Sequence, residues 1–275
     1  MTISEWLQIA SDQLTSSGFA SSHLDAEIIL AHTIDHPRTW LHAHGDDELE
    51  LRKQEIADAR LDLRLTHIPV AYIIGHKEFY GRRFSVTPQV LIPRADSEIL
   101  IELLRDCIPS THALGSIVRK HLVDIGTGSG CLGITAKLEH PELQVTLLDI
   151  SQPALNVAIK NARHLNADVE TLKSDLLSSF PYQPDIIVAN LPYVDTKWER
   201  SEETHFEPAE ALFASNDGLS LIFKCIDQAS SRLKQDGYLV LEADPRQWNH
   251  IHQVANRSGF DLLRAERFGA LYIKR

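Results

Sequence analysis

Over the first 65 residues apolar positions recur at intervals of three and four. Trp6, Leu7, Ile9, Ala10 and Leu14 share one face of a predicted helix that Ser4 can cap and Gly18 ends. Ser21 or Ser22 opens a second helix carrying Leu24, Ala26, Ile28, Ile29 and Leu30. A turn at His36-Pro37 and a short helical piece around Trp40 lead to a charged helix at about 47–65, with Glu50, Arg52, Lys53 and Glu55 outward. From 69 to 86 the period changes. Aromatic and polar residues alternate around Gly81, which predicts a β-hairpin. Pro93 then interrupts the chain, and helical spacing resumes over 95–107 with Ile99, Leu100, Leu103 and Leu104.

Beyond residue 120 the pattern becomes short continuous apolar runs, at 121–125, 144–148, 169–172, 185–189 and 238–242, separated by helical stretches. Runs of this length, rich in β-branched residues and bounded by turns, read as strands buried on both faces. Ser151 caps a helix at 153–164, Asn216 or Asp217 caps one that ends near Leu233, and Asp244-Pro245 opens another that ends near Gly259. Segments 260–266 and 270–274 make a closing strand pair. Alternation of strand and helix predicts an α/β fold with a largely parallel sheet behind a helical N-terminal region.

Composition narrows the function classes. The 275 residues are 43% apolar, enough for a packed core, and carry a formal charge of −11, which argues against broad affinity for the phosphate backbone. No apolar run reaches membrane-spanning length and no basic-then-apolar leader opens the chain, so a soluble cytoplasmic protein is expected. Three widely spaced cysteines, Cys107, Cys131 and Cys225, form neither a disulfide framework nor a zinc pattern. His42, His44, Asp46 and Asp47 are neighbours without a second ligand pair at a recognisable spacing, so no metal site is expected.

Three strand ends carry the candidate chemistry. Gly126-Thr127-Gly128-Ser129-Gly130 follows the strand ending at Ile125 and precedes a helix, a geometry that lets a ligand approach backbone N–H groups. The next strand ends in Asp149, whose carboxylate can accept both ribose hydroxyls of an adenosine group. Gly128, Gly130 and Gly133 with Asp149 also spell a nicotinamide-dinucleotide pattern, which requires a pyrophosphate cradle. The third end is Asn190-Leu191-Pro192-Tyr193. Asn190 offers a side-chain carbonyl and Leu191 a backbone carbonyl, two acceptors suited to a planar NH2 group, and Tyr193 adds a ring face.

This tip resembles the Asn-Pro-Pro-Tyr signature of methyltransferases acting on adenine, cytosine or glutamine amides, with Leu191 in place of the first proline. GHKEFYGRRFSV and VLIPRADSE are similar to the interdomain region of the protein-(glutamine-N5) methyltransferases that modify class I peptide chain release factors. Ala95, Asp96 and Ser97 replace that family's usual Pro-Glu-Thr, while Pro93, Arg94 and Glu98 stand. DISQPALNVAIKNA, Phe206-Glu207-Pro208 and Asn216-Asp217-Gly218-Leu219 extend the likeness over about 72–245.

The resemblance implies a seven-stranded Rossmann-like class I methyltransferase sheet with an antiparallel last strand. It divides the chain into an N-terminal helical substrate-recognition domain at 1–68, a β-hairpin linker at 69–94 and a methyltransferase domain at 95–275. The implied cofactor is S-adenosylmethionine, with S-adenosylhomocysteine as product. Asp124 would help fix its amino-acid part, Asp149 its ribose, and Asp175 and Leu176 its adenine, alongside residues 126–130 and Asn190. Asn190 and Tyr193 would be catalytic, and Asn190, Leu191, Pro192 and Tyr193 would hold the substrate, the glutamine of a release factor's Gly-Gly-Gln motif. Two alternatives stand beside this: an adenine-N6 nucleic-acid methyltransferase, and a non-catalytic module that binds S-adenosylmethionine.

Overall fold

The structure is a computed structural model that describes residues 1–108 and 120–275. Internal packing divides it into two compact units, one of Met1–His76 with Ser201–Phe206 and one of Lys77–Arg200 with Glu207–Arg275.

The first unit contains α1 (Ile3–Ser16), α2 (Ser22–Ile34), α3 (Arg38–Ala43), α4 (Leu51–Leu65) and α5 (Val70–Ile74). Trp6, Leu14, Ile29, Leu30 and Leu41 form its core. Thr2, not Ser4, caps α1: its hydroxyl accepts from Glu5 N at 3.2 Å while the Glu5 carboxylate accepts from Thr2 N at 2.8 Å. Thr-x-x-Glu satisfies two orphan donors at once, which a lone serine cannot. α4 starts at Leu51 rather than 47, because Asp47 O accepts from Ile3 N and Leu49 N donates to Met1 O, committing that backbone to an extended contact with the N-terminus. Arg64, 2% exposed, donates to Asp25 at 2.8 Å and Glu203 at 2.5 Å, with its guanidinium over the Phe19 ring. Residues 70–74, where alternation pointed to a strand, form a helical turn between Pro69 and Gly75, whose φ of 76° ends it. His42 pairs with the buried Glu27 and His44 stacks on Trp40. Among the described residues, no three His, Cys, Asp or Glu side chains cluster to hold a metal.

The second unit begins at Lys77, inside the hairpin of β1 (His76–Phe79) and β2 (Arg82–Ser85), turned by Tyr80 and Gly81 at φ of 51° and 70°. Then come α6 (Glu98–Cys107), β3 (His121–Ile125), α7 (Cys131–Glu139), β4 (Gln144–Asp149), α8 (Gln152–His164), β5 (Glu170–Lys173) and β6 (Ile186–Ala189). α9 (Ala209–Leu212), α10 (Ser220–Arg232), β7 (Tyr238–Glu242), α11 (Trp248–Arg257), β8 (Phe260–Ala265) and β9 (Gly269–Lys274) complete it.

The seven strands from β3 onward run in the order β5-β4-β3-β6-β7-β9-β8, and β9 lies antiparallel to both neighbours. Successive strand residues alternate between two cores. Val123, Ile125, Ile187, Ala189, Leu239 and Leu241 face one, with residues of α10 and α11; Leu122, Val145, Leu147, Ile186, Val188 and Val240 face the other, with residues of α6, α7 and α8. Polar groups therefore collect at the strand ends. Register sets them level: Ile125 pairs with both Leu148 and Ala189, and Ala189 pairs with Leu241, so Gly126, Asp149, Asn190 and Glu242 lie along one rim. Asn216 and Asp217 do not cap α10. With Gly218 they take left-handed backbone, and the helix follows Leu219 without a side-chain cap. Among the described residues, no helix is long and apolar enough to cross a membrane.

Candidate active site

A cavity of about 370 Å³ opens at this rim. Four turns leaving β3, β4, β5 and β6 wall it, contributing Gly126 to Ser129, Asp149 to Ser151, Ser174 to Leu176, and Asn190 to Pro192. The stretch before α6 supplies Pro93, Arg94 and Ser97, and Phe213 closes part of the far side. Of the residues expected at the site from sequence, Asp124, Gly130 and Tyr193 do not line it.

The glycine turn is shaped by backbone that side chains oppose. Gly126, Gly128 and Gly130 have φ of 70°, 54° and 84°. A Cβ on Gly130 would come within 2.6 Å of Ile134 Cδ1, and one on Gly126 within 3.1 Å of Leu191 Cδ2. Asp124 is 1% exposed beneath this turn. Its Oδ2 accepts from Thr127 Oγ1 at 2.6 Å and Gly133 N at 2.9 Å, so it braces the loop from below. Among the described residues its Oδ1 has no hydrogen-bond partner, and burial pushes its pKa up to about 6.

Asp149 is held by backbone. Gly128 N donates to its Oδ2 and Ser151 N to its Oδ1, both at 2.9 Å, while burial raises its pKa despite these bonds. A carboxylate oxygen has two lone pairs, so each can still accept a hydroxyl from a ligand in the cavity. A vicinal diol fits that pair. Ile150, 61% exposed, and Leu176, at φ 51°, add apolar walls beside it. Ile150 was missed from sequence, although an apolar residue just past the strand-end acid was there to be read. Asp175 reaches the cavity, but its Oδ2 accepts from Lys224 Nζ at 2.6 Å.

Across the cavity, Asn190 Nδ2 donates to Ser97 Oγ at 3.0 Å, leaving Oδ1 as the remaining side-chain acceptor. Leu191 is 3% exposed and packs into the core under the glycine turn. Tyr193 does not offer its ring to the cavity. Its hydroxyl donates to Glu242 Oε1 at 3.2 Å, and its carbonyl accepts from Gln247 Nε2 at 2.9 Å, ties that hold the tip in place. Arg94 pairs with the buried Glu207, which also accepts from Ile92 N at 3.1 Å. Cys131 lines the cavity with a thiol that burial pushes up to about 12, too weak an acid to serve as a nucleophile near neutral pH.

Known proteins match the chain along nearly its whole length. Residues 5–75 match the PrmC N-terminal domain and residues 97–250 the methyltransferase small domain. The chain is 35% identical to a release factor glutamine methyltransferase of Koribacter versatilis, over 94% of this chain and 96% of that one. A release factor glutamine methyltransferase of Neisseria gonorrhoeae is 36% identical, over 94% and 91% of the two chains. The chain also spans 55% of a bifunctional methyltransferase of Rickettsia felis, at 35% identity. Among solved structures, a methyltransferase from Pyrococcus furiosus superimposes with a TM-score of 0.55 at 16% identity, over 78% of this chain and 98% of that one. That likeness confirms the class I methyltransferase fold. On the strength of its near-full-length relatives, the chain belongs to the release factor glutamine methyltransferase family.

Proposed function

We propose that this protein transfers the methyl group of S-adenosylmethionine to the side-chain nitrogen of the glutamine in the Gly-Gly-Gln motif of class I peptide chain release factors. The observation that carries the reading is the single cavity shared by Asp149, the glycine turn and Asn190. Asp149 would accept the ribose hydroxyls, Ile150 and Leu176 would flank the adenine, and Asp124 Oδ1, without a hydrogen-bond partner among the described residues, lies beneath the turn toward which the cofactor's ammonium would be drawn. When bound, the cofactor supplies an electrophilic methyl on a sulfonium.

Everything else is positioning. A glutamine amide nitrogen is a weak nucleophile because its lone pair is delocalised into the carbonyl. Asn190 Oδ1 and the Leu191 carbonyl, one residue apart beside the cavity, would accept its two N–H bonds and aim the nitrogen at the methyl, and the methylated nitrogen would then give up one of its protons to water. Leu191 keeps this carbonyl where the family usually has proline, and Pro192 keeps Leu191 extended. The helical unit would recognise the body of the release factor.

The decisive experiment transfers labelled methyl to a recombinant release factor, beside its Gly-Gly-Gln variant with glutamine replaced by alanine and beside unmethylated DNA. Label on the intact factor alone is expected. Label on DNA alone would establish an adenine methyltransferase instead, and label on neither, with cofactor affinity retained, a binding module.

A further inference from the structure

Glu242 ends β7 and is 1% exposed, yet no part of the reaction outlined above uses it. Because Ala189 pairs with Leu241, the chain leaving β6 carries Asn190 alongside Glu242. Tyr193 Oη donates to Glu242 Oε1 at 3.2 Å. Ser97 and Asn190 face the same carboxylate, and among the described residues none closes a full hydrogen bond on Oε2. On the opposite side the register partner is Gly269 of β9, which brings no cation. A carboxylate without a charged partner is costly to bury, and the sheet does not require an acid here.

The geometry explains what such an acid does. The two ends of an asparagine amide are nearly isosteric, so only their neighbours decide whether oxygen or nitrogen faces the cavity. A serine hydroxyl can donate or accept. Beside a carboxylate, which only accepts, it can aim its hydrogen there and so leaves its lone pairs for Asn190 Nδ2, the contact seen at 3.0 Å. We infer that Glu242 is a positioning residue for methyl transfer: through Ser97 it fixes the Asn190 amide so that Oδ1 is the atom presented to the substrate. This inference rests on the proposed reaction and adds to it a polarity-setting anchor.

Glutamine at 242 keeps the volume but brings an NH2 that can donate to Ser97. The hydroxyl is then free to donate to Asn190 Oδ1, and the amide can turn its nitrogen toward the substrate's own N–H groups. Protonating Glu242 has the same effect. Burial pushes its pKa up to about 7, with Asp96 adding to the rise and Ser97, Tyr193 and Asn190 opposing it. Among the described residues the titratable groups facing it are Tyr193, Asp96 and Cys131, whereas the chain leaving β6 brings Asn190 alongside and β9 brings Gly269. Cys131 and Tyr193, both pushed far up by burial, stay neutral through this range.

The test compares the unaltered protein with E242Q, S97A, S97T and the double variant E242Q/S97A. It measures methyl transfer to a release factor from about pH 5.5 to 8.5, affinity for S-adenosylmethionine by calorimetry, and melting temperature. E242Q and S97A should each lose roughly tenfold to a hundredfold in kcat at pH 8 with cofactor affinity within about threefold. The double variant should lose little more than either alone, because the two act as one unit. S97T, which keeps the hydroxyl, should recover most of the S97A loss. In the unaltered protein kcat should fall on acidification through about pH 7, and E242Q should lack that limb although Asp124 still titrates.

Turnover by E242Q within about threefold of the unaltered protein would overturn the inference while leaving the proposed reaction standing. So would a loss that tracks a lower melting temperature and weakened cofactor binding. Absence of label with the unaltered protein would overturn the reaction and the inference together.

Discussion

Asn190 and Asp149 stand on opposite walls of one cavity, and their substitutions should separate two effects. Replacing Asn190 with alanine removes the proposed acceptor of the reacting amide. The expected outcome is a kcat about a hundredfold lower with cofactor affinity nearly unchanged, checked by single-turnover methylation and calorimetry. Replacing Asp149 with alanine removes the proposed diol acceptor and the anchor of Gly128 N and Ser151 N. Cofactor affinity should fall roughly tenfold to a hundredfold, as hydrogen bonds to a charged group are worth, read from the same titrations. Glu242 adds a signature in stability. Its native pKa of about 7 lies above an ordinary value of 4.5, so between those pH values the folded protein holds more proton than the unfolded one. Stability from this group therefore declines as pH rises through that window, and the full penalty persists above it. E242Q should melt higher than the unaltered protein at pH 8, by on the order of 5 °C, and lose that advantage toward pH 4.5, as scanning calorimetry would show. Asp149 and Asn190 were readable from sequence because acid or amide followed a buried run at once. Glu242 obeys the same rule but passed for a strand terminus, since nothing local says that it will sit level with Asn190. Only the register of β6 on β7 brings them together.

Elements were readable wherever a period ran for several residues, and misread where a single tertiary contact decided the boundary. The five parallel strands and α8, with Ser151 as cap, follow from apolar runs and capping chemistry. The start of α4 does not, because its first expected turn is pulled straight by the N-terminal residues. The turn before α10 is similar: Asn-Asp-Gly looks like a cap but is a left-handed run whose purpose is close approach. A Cβ on Gly218 would lie 1.9 Å from the Tyr193 carbonyl oxygen, at a φ of 82°. Gly218 thus lets the segment before α10 seat directly on the backbone of the tip, while Gln247 Nε2 bridges Tyr193 O and Asp217 O. G218A should lower both stability and turnover, with a melting temperature down by several degrees and a kcat reduced at least tenfold, because the clash is with backbone that cannot move without displacing the tip. Gly126 is constrained differently, through the Leu191 side chain, which fills the space beneath the turn.

At the scale of the whole molecule, a net charge of −11 leaves the protein a poor ligand for duplex DNA. No retardation of a duplex is expected at about 0.15 M salt, which a gel-shift titration would check. The α/β architecture and the strand-end location of the site were evident from the alternation of runs alone. The grouping of Ser201–Phe206 with the helices was not, because no local pattern links Glu203 to Arg64 across that separation in sequence. This grouping bears on modularity. The helical unit is not a contiguous stretch that could be cut out and grafted elsewhere. A fragment of 1–76 alone would keep Asp25 but lose Glu203, leaving a guanidinium that is 2% exposed short of one of its two acids. The helical unit takes part of its foundation from the sequence that follows the Asn190–Tyr193 tip, so a graft of 1–76 alone would leave that foundation behind.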